Sequence, residues 1–171
     1  KYNTNLTNVP KHLLEKWKKF KQIQLNCSID ATGALDRYIR HPSNWNKIVE
    51  NFETIRTLEN ANIEIHCTVQ MYNILHLYKF IDWAIPYGHK IYFNILNHPD
   101  ELNIKVLPEH LKTLAQQRLQ PYVYLDRVQG IIDYMFSEDW SNKYNKFLDY
   151  TDALDKSRDE SLFDIVEEFK I

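Results

Sequence analysis

Residues 22–40 read QIQLNCSIDATGALDRYIR, and the parsing of this stretch decides the fold. Ile23, Leu25, Cys27 and Ile29 alternate with Gln22, Gln24, Asn26, Ser28 and Asp30, the period of two that a pleated backbone imposes on its side chains. One face is apolar and the other carries hydrogen-bonding groups. The strand then enters Asp30-Ala31-Thr32-Gly33, which is turn-rich, and Asp36-Arg37-Tyr38-Ile39-Arg40, which reads as a polar loop. Polar groups therefore gather at the carboxyl end, where ligands bind in sheets built with helical crossovers.

Working outward, the same alternation recurs once, and a third strand follows it. Ile63, Ile65, Cys67 and Val69 alternate with Glu64, His66, Thr68 and Gln70, and residues 90–96 form a further apolar run that ends at Asn97-His98-Pro99. Helical spacing fills the intervals. Leu13, Leu14, Trp17 and Phe20 mark a helix over 10–19 with Pro10 near its first position. His41-Pro42-Ser43-Asn44 supply a break and a cap before a helix that carries Ile48, Phe52 and Ile55 to about residue 59. Asn73 reads as the cap of a helix over 74–85, stopped by Pro86 and Gly88. Strand, helix, strand, helix, strand at this spacing predicts parallel strands joined by crossovers. Ser28, Asp30, Thr68, Gln70, Asn94 and Asn97 then line one rim. From Pro108 onward only helices are predicted, over 108–120, 121–136, 142–156 and 162–169. The division is thus 1–107 for the α/β part and 108–171 for a helical extension packed on the same core.

Composition narrows the classes. The 171 residues suit one domain, and 44% hydrophobic content supplies its core. A net charge of -2 with 26% charged residues argues against a nucleic-acid surface, which needs clustered cations. The basic cluster Lys16, Lys18, Lys19 and Lys21 reads as the solvated end of a helix. With only Gly33, Gly88 and Gly130 as glycines, neither a dinucleotide fingerprint nor a P-loop is present, and no HExxH, paired CxxC or GxSxG occurs. Cys27 and Cys67 sit at apolar strand positions, which predicts buried, reduced thiols and a cytoplasmic setting. No run approaches the roughly 18 apolar residues of a membrane span. The opening Lys1-Tyr2-Asn3-Thr4-Asn5-Leu6-Thr7 lacks an initiator Met and reads as the tail of a strand, so the expectation is a piece of a longer protein.

Ser28-Ile29-Asp30-Ala31-Thr32-Gly33, with Asp36-Arg37-Tyr38-Ile39-Arg40-His41-Pro42 and Trp45, resembles the radical S-adenosylmethionine (radical SAM) superfamily, in its branch with SPASM or twitch auxiliary domains. Members of that branch read roughly SIDGTGEVNDYIRYPSxW at the fourth strand of a partial (β/α) TIM-like barrel. Thr4-Asn5-Leu6-Thr7 resembles the family's TNGT, Thr68-Val69-Gln70 with Asn73 its TVQxxN, and Leu154-Asp155 with Arg158 its LDxxR. Leu6 and Ala31 stand where the family has glycines. Its CxxxCxxC loop, which binds a 4Fe-4S cluster, has no counterpart here, so the cluster's ligands would lie outside this chain.

The resemblance implies three to four strands of that barrel and a parent enzyme that cleaves S-adenosyl-L-methionine to a radical, which then abstracts hydrogen from an unknown small-molecule or peptide substrate. It implies cofactor contacts from Ser28 and Asp30, from Thr68 and Gln70, and from Asn94, with Arg40 on the cofactor carboxylate. By itself the chain would be inactive. Simpler readings stand beside these. Asp30 can serve a turn, Arg40 can pair with Asp36 four residues earlier, and His66 can be a hydrogen-bonded strand residue or a substrate contact. The alternative class is a non-catalytic α/β binding or interaction module. An exposed strand edge predicts self-association.

Overall fold

The computed structural model describes residues 1–170. Strands β1 (Tyr2–Thr4), β2 (Ile23–Ser28), β3 (Ala61–Val69) and β4 (Lys90–Ile95) form one parallel sheet in the order β1-β2-β3-β4. Chain order and spatial order coincide, so each connection joins neighbours. Helix α1 (Lys11–Trp17) leads from β1 to β2, and α2 (Gly33–Ile39) and α3 (Trp45–Arg56) lead from β2 to β3. The short α4 (Met71–Ile74) and α5 (Leu77–Ala84) lead from β3 to β4. Successive crossovers of one hand lay their helices on the same face. That face is apolar: Leu25, Cys27, Ile63, Ile65, Cys67 and Phe93 share one core with Trp17, Phe52, Ile55, Phe80 and Ile81.

The other face carries the polar members of each alternation. Register sets them in rows across the sheet, with Asn26 beside Glu64, Ser28 beside His66 and Tyr92, and Thr68 beside Asn94. Parallel sheets are usually covered by apolar layers on both faces. This one is covered on one.

Beyond β4 come α6 (Glu109–Leu119), α7 (Val128–Phe136) and α8 (Tyr144–Arg158). Their Leu111, Ala115, Leu119, Ile131, Met135 and Phe147 enter the same core as the strands. Residues 125–134 run alongside β4. Phe93, Asn94 and Ile95 face alternate sides of the sheet, yet all three line one cavity with Arg127, Gly130 and Tyr134, which places this segment beside the strand's outer edge.

Several elements differ from the sequence expectation. The expected polar loop after β2 contains α2, entered through Gly33 at φ 60°, with Leu35, Asp36 and Tyr38 buried. Asn73 is not the cap of its helix. Gln70 is, and Asn73 closes a reciprocal capping box from the third helical position. The expected helix over 121–136 starts only at Val128, because Arg127 takes a left-handed backbone at φ 71°. Asp159, left-handed at φ 52°, ends α8, and the expected helix over 162–169 is two short 3-10 turns, Leu162–Asp164 and Glu167–Phe169. Leu162, Val166 and Phe169 keep helical spacing and are all buried, so the apolar pattern there records anchoring to the core. A segment this short gains too few hydrogen bonds to form a helix unaided.

Candidate functional site

The site is the carboxyl rim of β2, β3 and β4 with the polar sheet face below it. Asp30 ties the rim together. Its Oδ1 accepts the Thr68 backbone N–H at 2.7 Å, and its Oδ2 lies 2.8 Å from Arg40 Nη2. Its carbonyl accepts from Asn73 Nδ2 at 2.8 Å, and the same amide donates to the Thr68 carbonyl at 2.8 Å. Burial raises the Asp30 carboxyl above the ordinary aspartate value, against the pull of Arg40 and the Thr68 N–H.

Arg40 pairs with Asp30, and its contact with Asp36 is through the backbone, its N–H donating to the Asp36 carbonyl at 2.8 Å. Its side chain stays 24% exposed, and its Nε is buried without a partner among the described residues. One edge of the guanidinium is thus committed to Asp30, its Nε is enclosed, and the rest of the side chain is partly exposed. Beneath it, the fully buried Asp36 accepts from Ser43 Oγ at 2.9 Å, and its other oxygen has no partner among the described residues. Burial pushes this carboxyl up to about 6, with Ser43 and Arg40 opposing.

The expected site residues separate into two groups. Ser28, Thr68 and Asn94 share the polar face in adjacent rows, and their side chains make no hydrogen bond among the described residues. Asp30 and Gln70 are spent within the fold, Asp30 as the clamp and Gln70 as the cap of α4. His66 and Tyr92 stack at 4.9 Å in the same row as Ser28. Glu64 lies 3.5 Å from His66 Nε2 and accepts from the Tyr92 hydroxyl at 3.4 Å. Burial acts against the Glu64 charge, but Gln24, His66 and Tyr92 hold its pKa below the usual value. The Glu64–Tyr92 pair went unmarked in the sequence, and Asp36 was marked only as a partner for Arg40, not as a buried carboxyl. Alternation placed Glu64 and Tyr92 on the right face, whereas nothing in the pattern distinguishes a buried Asp36 from a solvated one.

The tail braces the rim from behind. Arg158 Nη1 donates to the Tyr38 carbonyl at 3.1 Å, Asp155 Oδ2 accepts the Leu162 N–H at 3.0 Å, and Glu160 faces Arg37 at 3.6 Å and His41 at 3.4 Å. Arg158 therefore docks α8 against the end of α2, next to Arg40, and Asp155 secures the chain that follows α8.

Cys27 and Cys67 are fully buried on the apolar face, Cys67 Sγ donating to the Asp30 carbonyl at 3.6 Å beneath the rim, and burial pushes the Cys27 thiol up to about 12 and the Cys67 thiol well above its usual value. Neither is placed to be a thiolate ligand at the rim. Among the described residues, no group of three or more His, Cys, Asp or Glu side chains converges as a metal site, and no helix is long and apolar enough to cross a membrane. Comparison with protein-family models, curated proteins and solved structures finds no match to this chain.

Proposed function

We propose that the open polar face and its rim bind S-adenosylmethionine, as part of a partial (β/α) barrel of the radical S-adenosylmethionine type. The observation that carries this reading is the one-sided sheet. Four parallel strands in chain order, helix-covered outside and polar inside, have the layout of a barrel wall with its lumen exposed, and ligands of such walls sit at the carboxyl rim. The Ser28 and Thr68 hydroxyls and the Asn94 amide supply donors and acceptors suited to a ribose and an adenine edge. The partly exposed remainder of the Arg40 guanidinium suits the aminoacyl carboxylate. Asp30 and Gln70 act one layer back, holding Arg40 and the β3 rim in place.

Radical generation from S-adenosylmethionine needs an iron–sulfur cluster held by thiolates. The two cysteines of this chain do not fit that task, so no chemical step is assigned to its residues. The alternative reading is a binding module without catalysis of its own. Both readings use the same face.

Calorimetric titration of the chain with S-adenosylmethionine tests the proposal. Saturable binding is expected, weakened at least tenfold by Ser28→Ala combined with Asn94→Ala. Arg40→Ala weakens it further, with circular dichroism confirming that each variant folds. Absence of binding at millimolar ligand, or affinity indifferent to these substitutions, removes the reading.

A further inference from the structure

We propose that the cavity between β4 and α7 binds a small molecule carrying an oxyanion, carboxylate or phosphate, on an apolar body. The cavity measures about 410 Å³, within the range that holds such ligands. Phe93, Ile95 and Ile131 give it an apolar wall, and Asn94, Asn97, Tyr134 and Arg127 converge on it.

Arg127 is the decisive residue. Arg37, Arg40, Arg56 and Arg118 each face a carboxylate, and Arg158 holds a backbone carbonyl. Arg127 alone among the arginines has a guanidinium with neither an ion pair nor a hydrogen bond among the described residues, while its carbonyl accepts the Ile131 N–H at 2.9 Å, and it takes a left-handed backbone to stand where it does. A guanidinium with a free planar fork beside an apolar wall suits a carboxylate or phosphate. The polar wall is fixed in advance: the Tyr134 hydroxyl donates to Asn97 Oδ1 at 3.1 Å and accepts from Asn103 Nδ2 at 2.8 Å, and Asn103 is fully buried. As the outer strand, β4 also turns alternate backbone N–H and C=O groups away from β3 toward this cavity. The site adjoins the proposed S-adenosylmethionine surface through Asn94 and depends on none of its other residues, so either can fail without the other.

The test is a nuclear magnetic resonance titration of the whole chain with phenylacetate, phenyl phosphate, acetate and phenethylamine, followed at the Asn94 and Asn97 side-chain amides and the Gly130 backbone amide. Phenylacetate and phenyl phosphate are expected to saturate, the tighter of the two naming the head group, and acetate to bind at least tenfold more weakly for want of an apolar body. Arg127→Gln weakens both phenyl oxyanions at least tenfold, and Arg127→Lys restores part of the loss. Shifts that fail to saturate, equal affinity in Arg127→Gln, or phenethylamine binding as well as phenylacetate would each overturn the proposal. Arg127 is exposed, and an unchanged spectrum away from the cavity verifies that its variants are folded.

Discussion

Leu6 shows how one position can serve two demands that conflict. Its backbone is left-handed at φ 61°, where an L side chain costs about 1 kcal/mol that glycine avoids. Its side chain is fully buried in the core. Thr4 Oγ1 accepts its N–H at 3.0 Å and Asn51 Nδ2 donates to its carbonyl at 2.6 Å, so the turn is held from both sides. Elsewhere glycine is worse than alanine at an ordered position. Here Leu6→Ala keeps the backbone cost and loses the buried side chain, whereas Leu6→Gly loses the side chain and relieves the backbone. Both variants are destabilised by roughly 2–4 kcal/mol, with Leu6→Gly expected to be the milder by about 1 kcal/mol. Urea denaturation decides it, and the reverse order rejects strain at this turn. At Ala31 no positive φ occurs, and the left-handed residue is Gly33 two positions on.

At the scale of elements, the two edges of the sheet are unlike. Residues 125–134 flank β4, one of the ways proteins blunt an edge, whereas β1 pairs only with β2 and leaves its outer side bare, with Tyr2 exposed. Self-association through β1 is expected in sedimentation at tens of micromolar, and Tyr2→Lys, which charges the edge, should reduce it. A wild-type chain that stays monomeric there argues against it. The strands themselves were legible because alternation at Ile23–Ser28 and Ala61–Val69 has a period no helix shares. Helix α2 was not, since seven residues that bury an aspartate look like a polar loop. The break before α7 was not either, because a left-handed arginine leaves no trace in composition. For the site, alternation set Ser28, Thr68 and Asn94 on one face, while the Asp30–Arg40 pairing depends on how α2 folds back over β2, which pattern alone does not encode.

For the whole molecule, two carboxyls shape stability against pH in opposite directions. Asp36 is raised from 3.8 to about 6 on folding, so the folded state holds its proton longer and stability falls as pH rises through that window, by about 3 kcal/mol if the full shift is realised. Asp30 shifts in the same direction. Glu168 behaves in the opposite way. Burial works against its charge, but its own backbone N–H, Arg118 and His76 hold it down at about 2, so its contribution is complete above 4.5 and lost as pH falls toward 2. The half-buried His76 and His89, both held below the usual histidine value by burial, oppose the Asp36 limb toward neutral pH, so the clean readout is the difference between variants: Asp36→Asn should remove a fall in unfolding free energy between about pH 4 and 6. A pH profile that Asp36→Asn leaves unaltered rules this out.

The bond from Arg158 to the Tyr38 carbonyl spans 120 residues of chain. On a ribosome, Tyr38 emerges long before Arg158 has been added, and contacts so distant in sequence form late. The helix that carries Arg40 must therefore wait, half-anchored, through most of translation. The brace behind the rim is in this sense a completion signal, acquired when α8 arrives and absent from any nascent chain that stops short of it.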